Sequence, residues 1–407
     1  MNRPAMMPMD DALAALLAQA AAPALVETVD TLDARGRVLA AAVRSTLDVP
    51  PMDNTAMDGY ALRAADVPAP GARLGVAQRI PAGLAPMPLA AGTAARIFTG
   101  AMLPPGADAV VMQEQCVAEG DDVVVNHVPA AGEWVRRAGE DIRAGAQILP
   151  AGARLTPQAC GLAASVGMAR LQVFPRLKAA VFFTGDELAM PGEALRPGAI
   201  YNSNRFMLRA LVESLGCTLA DFGIVRDSLD ETRRVLREAA RDNDLVITTG
   251  GVSVGEEDHV RPAVEAEGEI RLWQIAMKPG KPLAYGRVRR AAGGSADFIG
   301  LPGNPVSAFV TFLLFVRPFI LRRQGVAQVA PAALSLRADF DWPKPDRRRE
   351  FLRARVNADG GLDLFANQSS GVLTSTVWAD GLIDNPASQA IARGDRVRFL
   401  PLSELLA

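Results

Sequence analysis

Residues 244–260 combine a glycine loop with consecutive carboxyl side chains, residue types that bind phosphate and a divalent cation. Residues 245–249 are apolar and then threonine-rich, which predicts a short buried strand. The loop that follows, with Gly250 and Gly251, leaves backbone N–H groups without a partner in the chain, and such groups suit phosphate oxygens. The carboxylates at 256–258 would repel a phosphate unless a hard cation such as Mg²⁺ lay between. The segment therefore indicates a phosphate and metal site, and the alternative is a plain polar turn before a capped helix.

Other polar motifs follow other predicted strands in the same region. Strands and helices alternate over residues 177–325, which predicts a parallel sheet with right-handed crossovers. Ligands on such sheets bind beyond the carboxyl ends of the strands, so these motifs are expected to converge on one edge. The motifs are Thr-Gly-Asp-Glu-Leu at 184–188, Arg-Asp at 226–227 and Pro-Gly-Asn-Pro at 302–305.

Carboxylates and lysines would meet at this edge of the sheet. Four convergent motifs favour an Mg²⁺-assisted phosphate site over a set of unrelated loops. The acidic set is Asp186, Glu187, Asp227 and Asp258, and Lys278 and Lys281 supply positive charge from the segment at 277–282.

Composition limits the classes of function. The formal net charge of −2 gives no reason to expect nucleic acid as a partner. The three cysteines lie far apart, which argues against a disulfide framework or a thiolate zinc site, and only two histidines are present. The most apolar stretch, residues 309–321, contains Arg317 and Pro318 and is too short to span a bilayer, so it predicts a buried helix. We therefore expect a cytoplasmic protein without a membrane partner.

Seven motifs, in order, resemble the molybdopterin molybdenumtransferase family, which includes the MoeA-type enzymes and the gephyrin E domain. The resemblance runs from about residue 10 to the C-terminus. The motifs are PMDNTAMDGYA (51–61), RIFTGAMLPPGADAVV (96–111), GEDI (139–142), TGDEL (184–188), TTGGVSVGEEDHV (248–260), MKPGKPLAYG (277–286) and GLPGNPVSA (300–308).

The resemblance implies a multidomain α/β fold and a homodimer of elongated subunits. Its centre would be a three-layer αβα sandwich like that of the preceding adenylyltransferase, with an N-terminal linker domain, an inserted β-rich domain and a C-terminal β-barrel. The expected boundaries are 1–48 with 143–176 for the linker and dimerisation domain, 49–142 for the inserted domain, 177–328 for the sandwich and 329–407 for the barrel. Within the first of these, helices are expected at residues 10–25 and 32–42.

The resemblance also implies an activity. Family members cleave adenylylated molybdopterin with a divalent metal, usually Mg²⁺, insert molybdate, and release AMP and molybdenum cofactor. The preceding adenylyltransferase and apo-molybdoenzymes become candidate partners. The site would lie between the sandwich of one subunit and the small domains of the other.

Site residues follow from the same resemblance, motif by motif. The expected metal ligands are Glu187, Asp227 and Asp258. The expected catalytic residues are Asp58, Thr99, Asp141, Glu187, Asp227 and Asp258. The expected substrate-binding residues are Thr184, Gly185, Gly250, Gly251, Ser253, Lys278, Lys281, Pro302, Pro305, Arg353 and Ser370.

Two alternatives remain at this point. A non-catalytic scaffold of the gephyrin E-domain type could lose its site carboxylates, whereas here all the matched ones are present. A generic nucleotide-sugar or phosphoryl-transfer enzyme would account for the sandwich but not for the motifs at 51–61 and 139–142. The sequence leaves open whether molybdate or tungstate is the preferred oxyanion.

Overall fold

The chain is a multidomain α/β protein. A computed structural model describes residues 6–251 and 259–406 of its 407 residues. The chain forms four units, the second of which is inserted into the first. Helices and strands are numbered in chain order. The unit that carries the site motifs lies third, between an inserted β unit and a C-terminal β unit.

The N-terminal unit is formed by two segments that lie far apart in sequence. Its elements are α1 (Met9–Leu17), β1 (Glu27–Asp30), β2 (Val43–Arg44), β11 (Gln147–Leu149), α2 (Pro157–Ser165) and β12 (Arg170–Val173). Strand β1 pairs antiparallel with β12, and β2 pairs with β11, so the inserted unit leaves and returns at one place. Helix α2 begins at Pro157, and the Thr156 hydroxyl accepts a hydrogen bond from the Ala159 N–H at 3.2 Å, as the early proline predicts.

Of the two helices expected in the first 48 residues, one prediction was wrong and the other helix is shorter than expected. The predicted helix at 32–42 is replaced by a 3₁₀ turn, Thr31–Asp33, and by bridges from Val38 to Arg154 and from Leu39 to Val173. Long-range pairing with the second segment overrides the local helical pattern, and Gly36 at φ +76° interrupts that pattern. The helix expected at 10–25 is present as α1 but ends at Leu17, and its buried residues Met9, Ala12 and Leu16 pack into the core of the third unit.

The inserted unit is a β sheet with an apolar cluster on each face. Its strands are β3 (Asn54–Thr55), β4 (Gly59–Leu62), β5 (Ala72–Ile80), β6 (Thr93–Ile97), β7 (Ala109–Met112), β8 (Cys116–Glu119), β9 (Asp122–Val125) and β10 (Val135–Arg136). The main sheet has the order β7-β4-β6-β5-β9-β8, and β3 pairs with β10. Side chains of β4 alternate between the two clusters, with Tyr60 and Leu62 in one and Ala61 in the other.

The third unit has helices on both faces of one sheet. Its elements are β13 (Lys178–Thr184), β14 (Leu188–Ala189), β15 (Ile200–Tyr201), α3 (Ser203–Ser214), β16 (Thr218–Val225), α4 (Leu229–Asp242), β17 (Leu245–Thr249), α5 (Val260–Glu267), β18 (Gly268–Gln274), β19 (Met277–Lys278), β20 (Pro282–Arg289), β21 (Ser295–Leu301), α6 (Pro305–Thr311) and α7 (Arg317–Arg323). The sheet order is β16-β13-β17-β21-β20-β18. Helices α3, α6 and α7 cover one face together with α1, and α4 and α5 cover the other. We call this the α/β unit.

The apolar stretch predicted to be a buried helix is one. Helices α6 and α7 are joined by a π-helical turn, Phe312–Val316, so the helix continues over Pro305–Arg323. Its 19 residues are long and apolar enough to cross a membrane by length and composition, but 89% of its most apolar window is buried inside the protein. It is therefore the central core helix of the α/β unit.

The C-terminal unit is a curled, mostly antiparallel sheet. Its elements are β22 (Leu334–Arg337), β23 (Arg349–Val356), β24 (Leu362–Leu364), α8 (Thr374–Trp378), β25 (Gly381–Asn385), β26 (Arg396–Pro401) and α9 (Leu402–Leu405). The order is β19-β23-β25-β26-β22, with β24 also on β23. Ala338, just after β22, bridges Leu362 of β24 and so curls the sheet toward closure. Strand β19 comes from the α/β unit and pairs in parallel with β23.

Candidate functional site

The carboxyl ends of the central parallel strands lie side by side in the α/β unit. Thr184 of β13 is level with Val225 of β16, and Thr249 of β17 is level with Leu301 of β21. Because Phe183 is also paired with Thr249, the loops after all four strands begin at the same edge. This confirms the predicted convergence of the motifs.

A cavity of about 970 Å³ opens at this edge. Its other wall is the loop 368–371 of the C-terminal unit, and the Ser370 carbonyl accepts a hydrogen bond from the Val306 N–H at 3.0 Å. That contact satisfies one of the free N–H groups at the start of α6 and fixes the loop against the helix. The expected site residues that line the cavity are Thr184, Glu187, Gly250, Gly251, Lys278, Lys281, Pro302, Pro305 and Ser370.

Two glycines are required by the backbone of the cavity wall. Gly250 has φ +85°, and a Cβ there would lie 2.9 Å from the Thr184 carbonyl oxygen. Gly280 has φ +103°, and its Cβ would lie 2.3 Å from the Thr311 hydroxyl. Both positions therefore demand glycine, which keeps bare backbone facing the cavity.

Two asparagines of the cavity carry buried polar atoms without a partner among the residues that the structure describes. Asn204 donates to the Gly303 carbonyl at 2.8 Å, but its Oδ1 has no partner. Asn202 caps α3 by accepting from the Arg205 N–H at 3.1 Å, while its Nδ2 has none. A buried unpaired polar atom is costly, so these two asparagines of the cavity wall keep hydrogen-bonding capacity that the described residues do not meet. The expected site residues did not include Asn202, Asn204, Arg348 and Gln368, which also line the cavity.

The two lysines of the cavity differ in their surroundings. The Lys278 ammonium lies 3.3 Å from Glu350 and 3.5 Å from Asp346. Glu350 is fully buried, so Lys278 compensates its charge. Lys281 has no carboxylate within 4 Å in residues 6–251 and 259–406, which leaves its charge available to an anion.

Arg353 does not line the cavity but supports its wall. The side chain is 1% exposed, and its guanidinium donates to the Ser369 carbonyl at 3.3 Å, the Phe351 carbonyl at 3.2 Å and the Ser375 hydroxyl at 3.2 Å. No carboxylate of the described chain lies within 4 Å of it. Burial lowers the pKa of Arg353 to about 10, so the group is still cationic at neutral pH. An uncompensated cation therefore lies directly behind the loop 368–371.

Two of the expected metal carboxylates, Glu187 and Asp227, lie in the part of the chain that the structure describes, and only one of these two lines the cavity. Glu187 lines the cavity, whereas Asp227 does not, and the Asp227 N–H lies 3.5 Å from the Asp186 carboxylate. Gly185 lies beneath Glu187, since a Cβ there would come within 2.6 Å of the Glu187 carboxylate. Within the described ranges no three His, Cys, Asp or Glu side chains are placed to share one ion. Ser253 and Asp258 lie outside the described residues.

Asp58, Thr99 and Asp141 lie in the inserted unit and do not line this cavity. The Thr99 N–H and hydroxyl both donate to Asp58 Oδ1 at 2.7 Å, and these bonds lower the pKa of Asp58. Asp141 is exposed, and its N–H donates to the Val49 carbonyl at 3.0 Å. Arg137 and the Ala138 N–H hold Asp53 at 2.6 and 2.8 Å and so fix the neighbouring loop. One chain therefore presents two separate groups of expected site residues.

Models of known protein families match all four units. The MoeA N-terminal region, domains I and II, matches residues 7–167, and a probable molybdopterin binding domain matches 180–322. The MoeA C-terminal region, domain IV, matches residues 335–402. A molybdopterin molybdenumtransferase of Haemophilus influenzae is 37% identical over 412 residues, covering 98% of this chain and 100% of that protein. The chain belongs to the molybdopterin molybdenumtransferase family.

Other members of the family are similarly close. The molybdopterin molybdenumtransferase of a Nostoc species is 37% identical over 92% of this chain and 88% of its own length. The structure of the molybdopterin biosynthesis MoeA protein from Pyrococcus horikoshii has a TM-score of 0.83 at 28% identity, covering 98% of this chain and 100% of that one. The fold is therefore shared along the whole length.

Proposed function

We propose that this chain carries out the last step of molybdenum cofactor synthesis. It takes molybdate and adenylylated molybdopterin, cleaves the adenylate with a divalent metal, and releases AMP and molybdenum cofactor. The observation that carries this proposal is the cavity between the α/β and C-terminal units, where Lys281 and the buried Arg353 have no carboxylate partner among the described residues and favour anions. Both substrates are anions, and the relatives with curated names are molybdopterin molybdenumtransferases.

The phosphate groups and the oxyanion would use different parts of the cavity. The bare backbone at Gly250 and Gly251, beside Thr184, suits phosphate oxygens. Lys281 and Ser370 suit molybdate, and Arg353 adds positive charge from behind the loop. Because Arg353 binds the Ser369 carbonyl, it also keeps this loop in place before substrate arrives.

A divalent cation would lie beside Glu187, the carboxylate of the described cavity lining, and Asp227 would have to reach it from outside that lining. Mg²⁺ is usually held by one or two carboxylates together with substrate phosphates and water, and Glu187 offers such a carboxylate. We propose Glu187 and Asp227 as ligands, with Asp258 from the segment outside the described residues. When bound, Mg²⁺ would polarise the phosphoanhydride and neutralise developing charge.

The inserted unit would complete the site from a second copy of the chain. Asp58, Thr99 and Asp141 are expected to be catalytic, yet they lie apart from the cavity of their own chain. We therefore propose a homodimer in which the inserted unit of one subunit faces the cavity of the other. We also propose a cytoplasmic location, a sandwich like that of the preceding adenylyltransferase, a C-terminal barrel, and transient contacts with that enzyme and with apo-molybdoenzymes.

The test is AMP release from adenylylated molybdopterin by the purified protein with Mg²⁺, with and without molybdate. We expect molybdate-dependent release, and we expect the product to activate an apo-molybdoenzyme. Tungstate in place of molybdate compares the two oxyanions. No release at any concentration of either oxyanion, from a folded protein, would refute the proposal and favour a scaffold.

A matched pair of variants tests the metal carboxylates. Asp227→Asn should lower turnover by about 100-fold, because a neutral amide is a poor Mg²⁺ ligand. Asp242→Asn is the control, since Asp242 is exposed at the end of α4 and, within the described residues, its ion pair is with its neighbour Arg241 at 2.8 Å. Wild-type turnover in Asp227→Asn would remove this residue from the metal site.

A further inference from the structure

Two arginines lie opposite each other on one face of the inserted sheet. In the register of the parallel pair β5 and β6, Arg79 is level with Arg96. In the antiparallel pair β4 and β6, Tyr60 is level with Arg96. Tyr60, Arg96 and Arg79 therefore form a row across three adjacent strands, with their side chains on the same face.

Phe98, two residues beyond Arg96, contacts both guanidinium groups. The guanidinium carbon of Arg96 lies 4.4 Å from the centre of the Phe98 ring, and that of Arg79 lies 4.6 Å from it. Arg96 also lies 5.4 Å from the centre of the Tyr60 ring. We call Arg79, Phe98 and Arg96 the arginine stack. Stacking on an aromatic face holds a guanidinium flat and leaves its N–H edge open to an anion.

The two arginines of the stack differ in their hydrogen bonds. Arg96 donates to the Gly59 and Ile97 carbonyls at 2.8 and 3.1 Å and to Gln113 Oε1 at 2.5 Å. Arg79 is exposed, and within residues 6–251 and 259–406 its side chain makes no hydrogen bond or ion pair. Like charges opposite each other destabilise a sheet, so an anion beside Arg79 would relieve a repulsion that the free protein retains.

The stack adjoins the expected catalytic residues of the inserted unit. Thr99 follows Phe98 directly and holds Asp58 through two hydrogen bonds of 2.7 Å. The charge of Arg96 contributes to the lowered pKa of Asp58, after the two Thr99 bonds and a smaller opposing effect of burial. An anion at the stack would therefore lie next to Asp58 and Thr99.

We propose that the arginine stack binds the phosphate chain of the nucleotide-bearing substrate, with Arg79 as its principal ligand. This inference rests on the proposed function, because it assigns to the inserted unit a share of the substrate that the cavity of the other subunit holds. A diphosphate-linked nucleotide fits the stack, since its oxygens accept from two guanidinium edges on one face. Arg79 would then determine affinity for the substrate rather than the rate of the chemical step.

Arg79→Ala and Arg73→Ala form a matched pair for the test. Both arginines are on β5 and both are exposed, but Arg73 is already paired with Glu119 and Asp122. Equilibrium binding of ADP to the full-length protein, measured by calorimetry, reports the site without turnover. We expect ADP to bind about tenfold more weakly to Arg79→Ala and unchanged to Arg73→Ala, because one charge-assisted contact is lost.

Two further readouts separate the outcomes. In turnover, Arg79→Ala should raise KM for adenylylated molybdopterin and leave kcat near wild type, and Arg79→Lys should recover only part of the affinity. Equal ADP affinity in Arg79→Ala and Arg73→Ala would overturn the inference even if the wild-type enzyme releases AMP. A changed oligomeric state in Arg79→Ala with unchanged ADP affinity would also overturn it, since the anion would then be a carboxylate of a second copy. If the wild-type enzyme releases no AMP but Arg79→Ala still binds ADP more weakly than Arg73→Ala does, the proposed reaction is refuted and the arginine stack remains a phosphate-binding site.

Discussion

The cavity of the α/β unit and the arginine stack of the inserted unit both favour anions, but they expose their charges differently. Behind the cavity wall, Arg353 is almost fully buried, and its guanidinium donates to the Ser369 carbonyl of the loop 368–371, the Phe351 carbonyl and the Ser375 hydroxyl. In the stack, Arg79 lies on the surface with an aromatic ring as its partner. Buried charge acts at full strength in a fixed place, whereas exposed charge is screened by salt over about 10 Å. If both regions bind the substrate as proposed, the cavity would orient the reacting groups and the stack would add affinity from outside it.

The largest expected effect tests whether the two regions meet across a dimer. Asp58→Asn changes the inserted unit and Glu187→Gln changes the cavity. Each should lower turnover by about 100-fold, because each removes a carboxylate that is expected to act in the reaction or on the metal. When the two variants are mixed and allowed to exchange subunits, a site shared between subunits restores about a quarter of wild-type activity, since half the dimers then have one intact site. The measurement is AMP release from the mixture. No recovery after proven exchange would place both residues in a site within one chain.

The next effect separates charge from support at Arg353. Arg353→Ala removes three hydrogen bonds and a buried side chain, so the free energy of unfolding should fall by about 2–4 kcal/mol. KM for molybdate should also rise by about tenfold or more, because the cation behind the loop is lost. Arg353→Lys keeps the positive charge but loses the planar guanidinium. Its unfolding free energy and its KM for molybdate should therefore lie between those of the wild type and of Arg353→Ala. Denaturant unfolding measures the change in stability, and the rate of AMP release at increasing molybdate concentration measures KM. Arg355→Ala, on the same strand with its guanidinium over Trp378, is the control.

A smaller contrast is expected between the two lysines of the cavity. Lys281→Ala should weaken oxyanion binding by about tenfold and leave stability unchanged, because Lys281 compensates no buried carboxylate. Lys278→Ala leaves Glu350 buried without its cation, so it should cost about 1–3 kcal/mol of unfolding free energy. Calorimetric titration with molybdate and thermal unfolding separate the two effects. Equal behaviour in both assays would show that the lysines share one role.

The smallest effect concerns the pKa of Asp58. The Thr99 bonds stabilise the ionised carboxylate, so its pKa lies below the ordinary value, and its contacts with Thr99 are lost only as pH falls through that lowered pKa. Thr99→Val removes the hydroxyl bond but keeps the N–H bond. The acid limb of kcat/KM should therefore move upward by less than about one pH unit. A limb that stays in place in Thr99→Val would show that Asp58 does not titrate in that range.

Local signals predicted much of the α/β unit. Asn202 and Ser228 cap α3 and α4 of this unit with bonds of 3.1 and 3.3 Å, as their side chains and positions predict. The alternation of strands and helices predicted the shared edge, because the position of strand ends follows from topology alone. These inferences succeed where short-range interactions decide the structure.

Burial and long-range pairing could not be predicted in the same way. A strand with several arginines usually turns them to solvent, but Arg353 is almost fully buried in β23. Its depth depends on the loop 368–371, which arrives from later in the chain. The sequence shows that helix α1 has an apolar side but not what covers that side. The tertiary fold shows that α7 and the sheet of the α/β unit cover it.

Strand β19 has a mechanical consequence. It leaves the sheet of the α/β unit and becomes the edge strand of the C-terminal sheet, where Lys278 is level with Glu350. The next turn, residues 279–282, returns to the cavity with Lys281. The turn is therefore fixed at both ends, because β19 is hydrogen-bonded into the C-terminal sheet and β20, which begins at Pro282, is hydrogen-bonded into the sheet of the α/β unit. The position of the Lys281 charge thus depends on both units at once.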